Sequence, residues 1–135
     1  MLTAESMAPF AELGATLAGS VAEVAKADVI SVTVLNDEQV RDVVTQLAEH
    51  AAAGTVIAIH STIEPTTAVE LAEQLRPKEI HIVDAPVSGG AHAASKGELA
   101  VMVGADDAAY DKVKPVYKQW ASLVVRAGEP GAGTK

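Results

Sequence analysis

The sequence predicts an α/β fold built on a doubly wound, mostly parallel sheet, and three observations carry that prediction. Short β-branched runs at 29–35, 55–59 and 80–83 alternate with segments of helical periodicity, the pattern of consecutive βα units joined by right-handed crossovers. Hydrophobic residues make up 49% of the 135-residue chain but aromatic ones only 3%, so the core must be filled by Ala, Val, Leu and Ile. That filling suits small-faced helices lying over a buried parallel sheet. Three strands also end in polar or glycine-bearing segments, Leu35-Asn36, Ser61-Thr62 and Ser88-Gly89-Gly90, and the carboxyl ends of strands are where such sheets bind ligands.

Residues 5–17 read as a helix with Met7, Phe10, Ala11, Leu13 and Leu17 as an apolar stripe, weakened by Gly14 in the last turn. Ser20 and Glu23 form a capping-box signal for a short helix that ends near Lys26. Asp28 then introduces the strand 29–35, whose β-branched run predicts burial on both faces. Asn36 caps the next helix, with Gln39 in the capping-box position and Val40, Val43, Val44 and Leu47 as its buried stripe. Gly54 closes that helix at the position after its C-cap. A strand at 55–59 is followed by a helix at 65–75 that Pro65 or Thr66 starts, and by a strand at 80–83. Leu99 to Val103 reads as a strand, Asp106 to Trp120 as a helix capped by Asp106 and kinked at Pro115, and Leu123 to Val125 as a last strand. The segment from Gly128 is linker-like.

The net charge of −8 argues against nucleic acid, because phosphate binding needs a clustered basic surface. The absence of cysteine excludes disulfides and thiolate metal sites and fits a reducing cytoplasm. No apolar stretch approaches the ~20 residues of a membrane span, and the first residues carry no signal-peptide pattern. His50, His60, His81 and His92 are too scattered for a zinc spacing, and the adjacency of His60 and Ser61 is not a catalytic triad. Glu64 and Glu98, beside the site segments, read as exposed charges at helix starts.

The most informative stretch is Asp84-Ala85-Pro86-Val87-Ser88-Gly89-Gly90, continuing through Gly97-Glu98-Leu99 to Met102-Val103-Gly104. Pro86 fixes one backbone angle, and the two glycines let a ligand approach main-chain N–H groups. With the Ser88 hydroxyl they make a cradle for a small anion, which competes with a tight structural turn as the reading of so short a motif. Likewise, Asn36 and Thr62 serve as well for caps as for a site.

D-A-P-V-S-G-G, A-x-x-G-x-L and M-V-G together resemble the substrate loop of the β-hydroxyacid dehydrogenase family. Its branches are the 3-hydroxyisobutyrate dehydrogenases, the tartronate semialdehyde reductases and, more distantly, the 6-phosphogluconate dehydrogenases. Val29 to Leu35 resembles the family's strand to the nicotinamide, Ser61-Thr62-Ile63-Glu64-Pro65 its S-T-x-x-P turn, and Gly128 to Gly133 the glycine stretch before its interdomain helix. The resemblance implies NAD or NADP as cofactor and a small hydroxy acid or its semialdehyde as substrate. Ser88, Gly89 and Gly90 would hold the substrate carboxylate, and Leu35, Asn36 and Thr62 would border the nicotinamide and its ribose.

The resemblance also predicts a fold lacking the first βαβ unit and the all-α C-terminal domain, with residues 1–127 as a partial Rossmann-type domain and 128–135 as the start of the interdomain linker. No G-x-G-x-x-G occurs, and the family's lysine, four residues after the second glycine of G-x-G, would fall two residues past Lys135. The chain by itself is therefore expected to be inactive. Asn36 stands where the family has proline and His92 where glycine is common; His92 reads as an exposed loop residue. Met102-Val103-Gly104-Ala105 replaces the M-P-G-G of the 6-phosphogluconate branch, which favours the small-hydroxyacid branch. The alternative is a non-catalytic truncated α/β module that binds no dinucleotide. An uncovered sheet edge and apolar face would make it self-associate.

Overall fold

β-branched residues supply the strands of one sheet, and alanine-rich helices cover it. The computed structural model describes residues 4–16, 18 and 20–134, the first four of them by backbone alone. The order is α1 (Ala4–Glu12), α2 (Val21–Val24), β1 (Val29–Val32), α3 (Asp37–His50), β2 (Val56–Ile59), α4 (Pro65–Leu75), β3 (His81–Asp84), β4 (Val87–Ser88), α5 (Gly90–Lys96), β5 (Leu99–Gly104), α6 (Asp107–Tyr117) and β6 (Ala121–Gly128).

β1, β2 and β3 are parallel neighbours, with Val32 opposite Ile59 and Ile59 opposite Asp84. β5 runs antiparallel to β3 and β4, and β6 runs parallel to β5. The pairs Asp84–Gly104, Val87–Val101 and Ser88–Ala100 share one register, and the Met102 N–H reaches the Pro86 carbonyl at 3.3 Å between them. β3 and β4 are thus one strand interrupted at Ala85-Pro86. The sheet is Rossmann-like and mostly parallel, with its last two strands reversed.

Alternation along the strands sends side chains to two cores. Ile57, Ile59 and Ile82 pack with Val40, Val44 and Leu47 of α3 and Ala68 and Leu71 of α4. Val56, Ala58, Val83, Val101 and Val103 pack with Ala109, Val113 and Tyr117 of α6 on the opposite face. Helices on both faces are what a doubly wound sheet requires.

Several expectations need correction. The expected apolar stripe is exposed at Phe10, Ala11 and Leu13, the helix stops before the positive-φ Gly14, and the Met7 side chain and Leu17 lie outside the described residues. β1 ends at Val32 and exposes Ser31, so it is not covered on both faces. α3 ends at His50 with Ala51 as C-cap, and Gly54, at φ +91°, turns the chain three residues later. Pro115 lies in the last turn of α6, which ends at Tyr117 rather than Trp120. The segment after Val83 is strand through Ser88, and residues 90–96 form a helix that periodicity did not announce.

Candidate functional site

The parallel register gathers the three strand-end motifs on one edge. Leu35 lies three residues past Val32, Thr62 three past Ile59 and Ser88 four past Asp84, on strands that are successive neighbours in the sheet. Polar ties fix this edge. The buried Ser61 hydroxyl accepts the Val34 N–H and donates to the Val34 carbonyl, both at 2.7 Å, which locks the end of β1 to the end of β2. Asp37 Oδ2 accepts the Thr67 hydroxyl at 2.6 Å and the Glu64 N–H at 3.0 Å, joining the starts of α3 and α4. Those two bonds, the Thr67 hydroxyl foremost, hold the Asp37 carboxyl below the usual carboxylate range.

Leu35 is 88% exposed, at the mouth of an open groove of about 570 Å³ lined by Thr33, Val34, Leu35, Gln39, Asp42 and Val43. Its exposure puts an apolar surface beside the groove at the end of β1. Asn36 is a helix cap: its Oδ1 accepts the Gln39 N–H at 2.9 Å. Gln39 Oε1 reaches back to the Leu35 N–H at 2.8 Å, one residue beyond the usual capping box. The Asn36 side-chain NH2 remains the part able to meet a ligand. Thr62 is exposed and caps nothing; Glu64 precedes Pro65 at the start of α4.

Ser88, Gly89 and Gly90 are exposed. Ser88 closes β4 opposite Ala100, Gly89 (φ +126°) is the N-cap of α5, and Gly90 (φ +69°) is its first residue. A Cβ on Gly89 would stand 2.7 Å from the Ala93 Cβ, so glycine is needed there for packing as well as for φ. His92 is exposed on α5, and its carbonyl accepts the Ser95 hydroxyl at 2.8 Å.

Sequence reasoning did not single out Asp37, and it named Ser61 and Asp84 within motifs without the partners that make them shape the edge. Asp37 and Ser61 are recognisable only through their partners. Asp84, fully buried at the end of β3, accepts the N–H groups of Gly131 and Thr134, which are distant in sequence. Burial pushes its carboxyl above the ordinary value against the pull of those bonds. His60, next to Ser61 in sequence, is a half-buried packing residue rather than a catalytic partner of it. Its Nδ1 lies 2.9 Å from the Ala85 carbonyl and its Nε2 3.3 Å from the Ser31 hydroxyl, and its ring packs edge-on against Tyr117 and Trp120. Desolvation holds its pKa below the ordinary imidazole value.

A second cleft, of about 210 Å³, lies at the opposite, amino end of β3 between Arg76, His81, Asp106, Glu129 and Pro130. His81 pairs with Asp106 there at 2.8 Å, and Asp106 caps α6 through the Ala109 N–H. Among the described residues no cluster of His, Cys, Asp and Glu can hold a metal ion, and no helix is long and apolar enough to cross a membrane.

The dinucleotide fit is partial. The groove, the exposed Leu35 and the Asn36 side-chain NH2 suit the nicotinamide half, whereas the sequence offers no G-x-G-x-x-G turn for the pyrophosphate.

Comparison with known proteins shows what the chain as a whole is similar to. Residues 1–128 match the family model described as the NAD binding domain of 6-phosphogluconate dehydrogenase. The crystal structure of an oxidoreductase from Mycobacterium avium 104 superposes with a TM-score of 0.94 at 65% identity, over 99% of this chain and 48% of that one. 3-Hydroxyisobutyrate dehydrogenase of Mycobacterium tuberculosis, solved with L-serine, gives a TM-score of 0.88 at 32% identity, over 96% of this chain and 45% of that one. L-Threonate dehydrogenase of Escherichia coli is 40% identical over 113 residues, 81% of this chain and 37% of the relative. The chain spans less than half the length of each.

Proposed function

Because the chain belongs to the family of the NAD-binding domain of 6-phosphogluconate dehydrogenase, we propose that it is the nicotinamide- and substrate-facing part of an NAD(P)-dependent oxidoreductase of a small 3-hydroxy acid or its semialdehyde. Residues 1–127 form the partial dinucleotide-binding domain and 128–135 open the interdomain linker. The observation that carries this reading is the gathering of Leu35-Asn36, Ser61-Thr62 and Ser88-Gly89-Gly90 on the carboxyl edge of adjacent strands.

When bound, the nicotinamide supplies a carbon that accepts or gives a hydride. Leu35 offers it an apolar surface, and the Asn36 amide and Thr62 hydroxyl, on neighbouring strand ends, offer hydrogen bonds to its polar rim. Ser88 donates to the substrate carboxylate, and the glycine backbone lets that carboxylate come close to the Gly89 and Gly90 amides. This orients the hydroxyl-bearing carbon toward the nicotinamide edge. A lysine following this chain exchanges the hydroxyl proton as general acid or base.

The test is turnover by the protein expressed from the whole reading frame that contains these residues. Reduction of small semialdehydes with NADH or NADPH, reduced strongly by Ser88→Ala through KM, supports the reading. Absence of turnover with a panel of hydroxy acids and both cofactors contradicts it. The 135 residues alone are catalytically silent on this account, and turnover by the purified chain would overturn that part.

A second reading, self-association of a module without catalysis, rests on β1 at the sheet's edge and on the exposed Met102, Leu123 and Val125 on β5 and β6. A clean monomer in sizing chromatography at high concentration counts against it.

A further inference from the structure

The glycine segment that closes the chain is seated on one buried carboxylate of the substrate strand. Asp84 Oδ1 accepts the Gly131 N–H at 2.6 Å, and Oδ2 accepts the Thr134 N–H at 3.0 Å and its hydroxyl at 3.3 Å. The surrounding glycines make this seat. A Cβ on Gly104 would collide with Asp84 Oδ1, and one on Gly133 would stand 2.5 Å from the Asp84 carbonyl oxygen and 2.6 Å from that of Met102. Gly131, at φ +97°, fits under α4, where a Cβ would meet Val69 at 2.8 Å and the Pro65 carbonyl at 3.0 Å. The segment therefore lies flat on the sheet, its backbone donors aimed at one acceptor.

Asp84 also belongs to the strand that ends in Ser88, four residues on in the same register. One side chain thus joins the strand that carries Ser88 to the glycine segment 128–134. Resting on the functional reading above, we propose that Asp84 is a positioning residue of the reaction. It holds Gly131 and Thr134 against the substrate strand, so that the lysine following Lys135 meets the hydroxyl of a substrate fixed by Ser88, Gly89 and Gly90. Asp84 itself touches neither substrate nor cofactor. A carboxylate suits the task because it only accepts: an Asn in its place would turn an NH2 group toward a backbone N–H. A displacement of about 1 Å in such a frame is enough to cost about 100-fold in rate.

The experiment compares Asp84→Asn, Thr134→Val and Thr134→Ser in the protein expressed from the whole reading frame. Asp84→Asn is expected to lower kcat by about 100-fold with the KM values for hydroxy acid and cofactor near those of the wild type. Thr134→Val lowers kcat less, and Thr134→Ser, which keeps the hydroxyl, restores it. In the 135-residue chain the amide resonances of Gly131 and Thr134 should titrate together with the Asp84 carboxyl, a readout independent of activity and of the Asn variant's folding. An active wild type whose Asp84→Asn and Thr134→Val variants lose only thermal stability would overturn the positioning role. Amides that ignore the Asp84 titration would overturn the seat itself. An inactive wild type whose amides follow that titration would instead contradict the functional reading, and the positioning role with it, while leaving the seat intact.

Discussion

Replacing Tyr117 by phenylalanine should stabilise the protein. Tyr117 is fully buried in the core beneath α6, and no donor or acceptor among the described residues reaches its hydroxyl. Its ring lies edge-on to His60, with centroids 5.5 Å apart, and to Trp120 at 5.2 Å, and phenylalanine keeps both contacts. An unsatisfied buried hydroxyl costs about 1–3 kcal/mol. Deleting one oxygen leaves too small a gap to cancel that gain, so a net stabilisation of about 1 kcal/mol is expected. For 135 residues this is a rise in Tm of about 3–5 °C.

Urea unfolding reads the difference as a shift in midpoint at constant m. An alkaline arm adds a second check. Burial, and then the nearby Asp84 charge, raise the Tyr117 phenol above its ordinary 10.0. A raised folded-state pKa gives stability that is complete below 10.0 and is lost as pH climbs through the folded value. The phenylalanine variant lacks that loss, so its advantage should widen above about pH 10. A destabilisation by about 1 kcal/mol at unchanged m would refute the reasoning, since it would mean that the hydroxyl is hydrogen-bonded in solution.

The two glycines of the proposed cradle should differ. Gly89→Ala meets Ala93 at 2.7 Å at φ +126°, and should cost about 2–4 kcal/mol by urea unfolding. Gly90→Ala has open space at φ +69° and should cost only about 1–2 kcal/mol. Ser61→Ala removes both ties to Val34 and should cost about 1–3 kcal/mol, with faster amide exchange at Val34. Asp37 has its carboxyl lowered from 3.8, so its contribution is present above 3.8 and is lost as pH falls through the folded value. Acid unfolding of Asp37→Asn should accordingly be less steep in that range than that of the wild type.

Much of this architecture was legible because local chemistry and global fold agree. Ser20, Asn36 and Asp106 cap the helices that their positions announce, and the β-branched runs are the strands. α5 was not legible because a seven-residue helix that buries none of its residues has no apolar stripe to show. Pro86 and two glycines made the end of the strand that carries Ser88 look like loop, although β5 supplies its partners from residues 100–104. Strand direction leaves no mark in periodicity, so the reversal of β5 and β6 could come only from pairing. That the three motifs stand at strand ends was readable. The groups that tie them together were not, because Ser61 finds Val34 27 residues away, and Asp84 finds Gly131 and Thr134 47 and 50 away.

The most direct test of the central claim is an amide NMR titration of the 135-residue chain with nicotinamide mononucleotide and a small 3-hydroxy acid. Shifts confined to residues 33–36, 60–63 and 87–92 are predicted, since those segments form the carboxyl edge of the parallel strands. Shifts centred instead on Arg76, His81 and Glu129 at the amino end, or no shifts at all, would contradict the account.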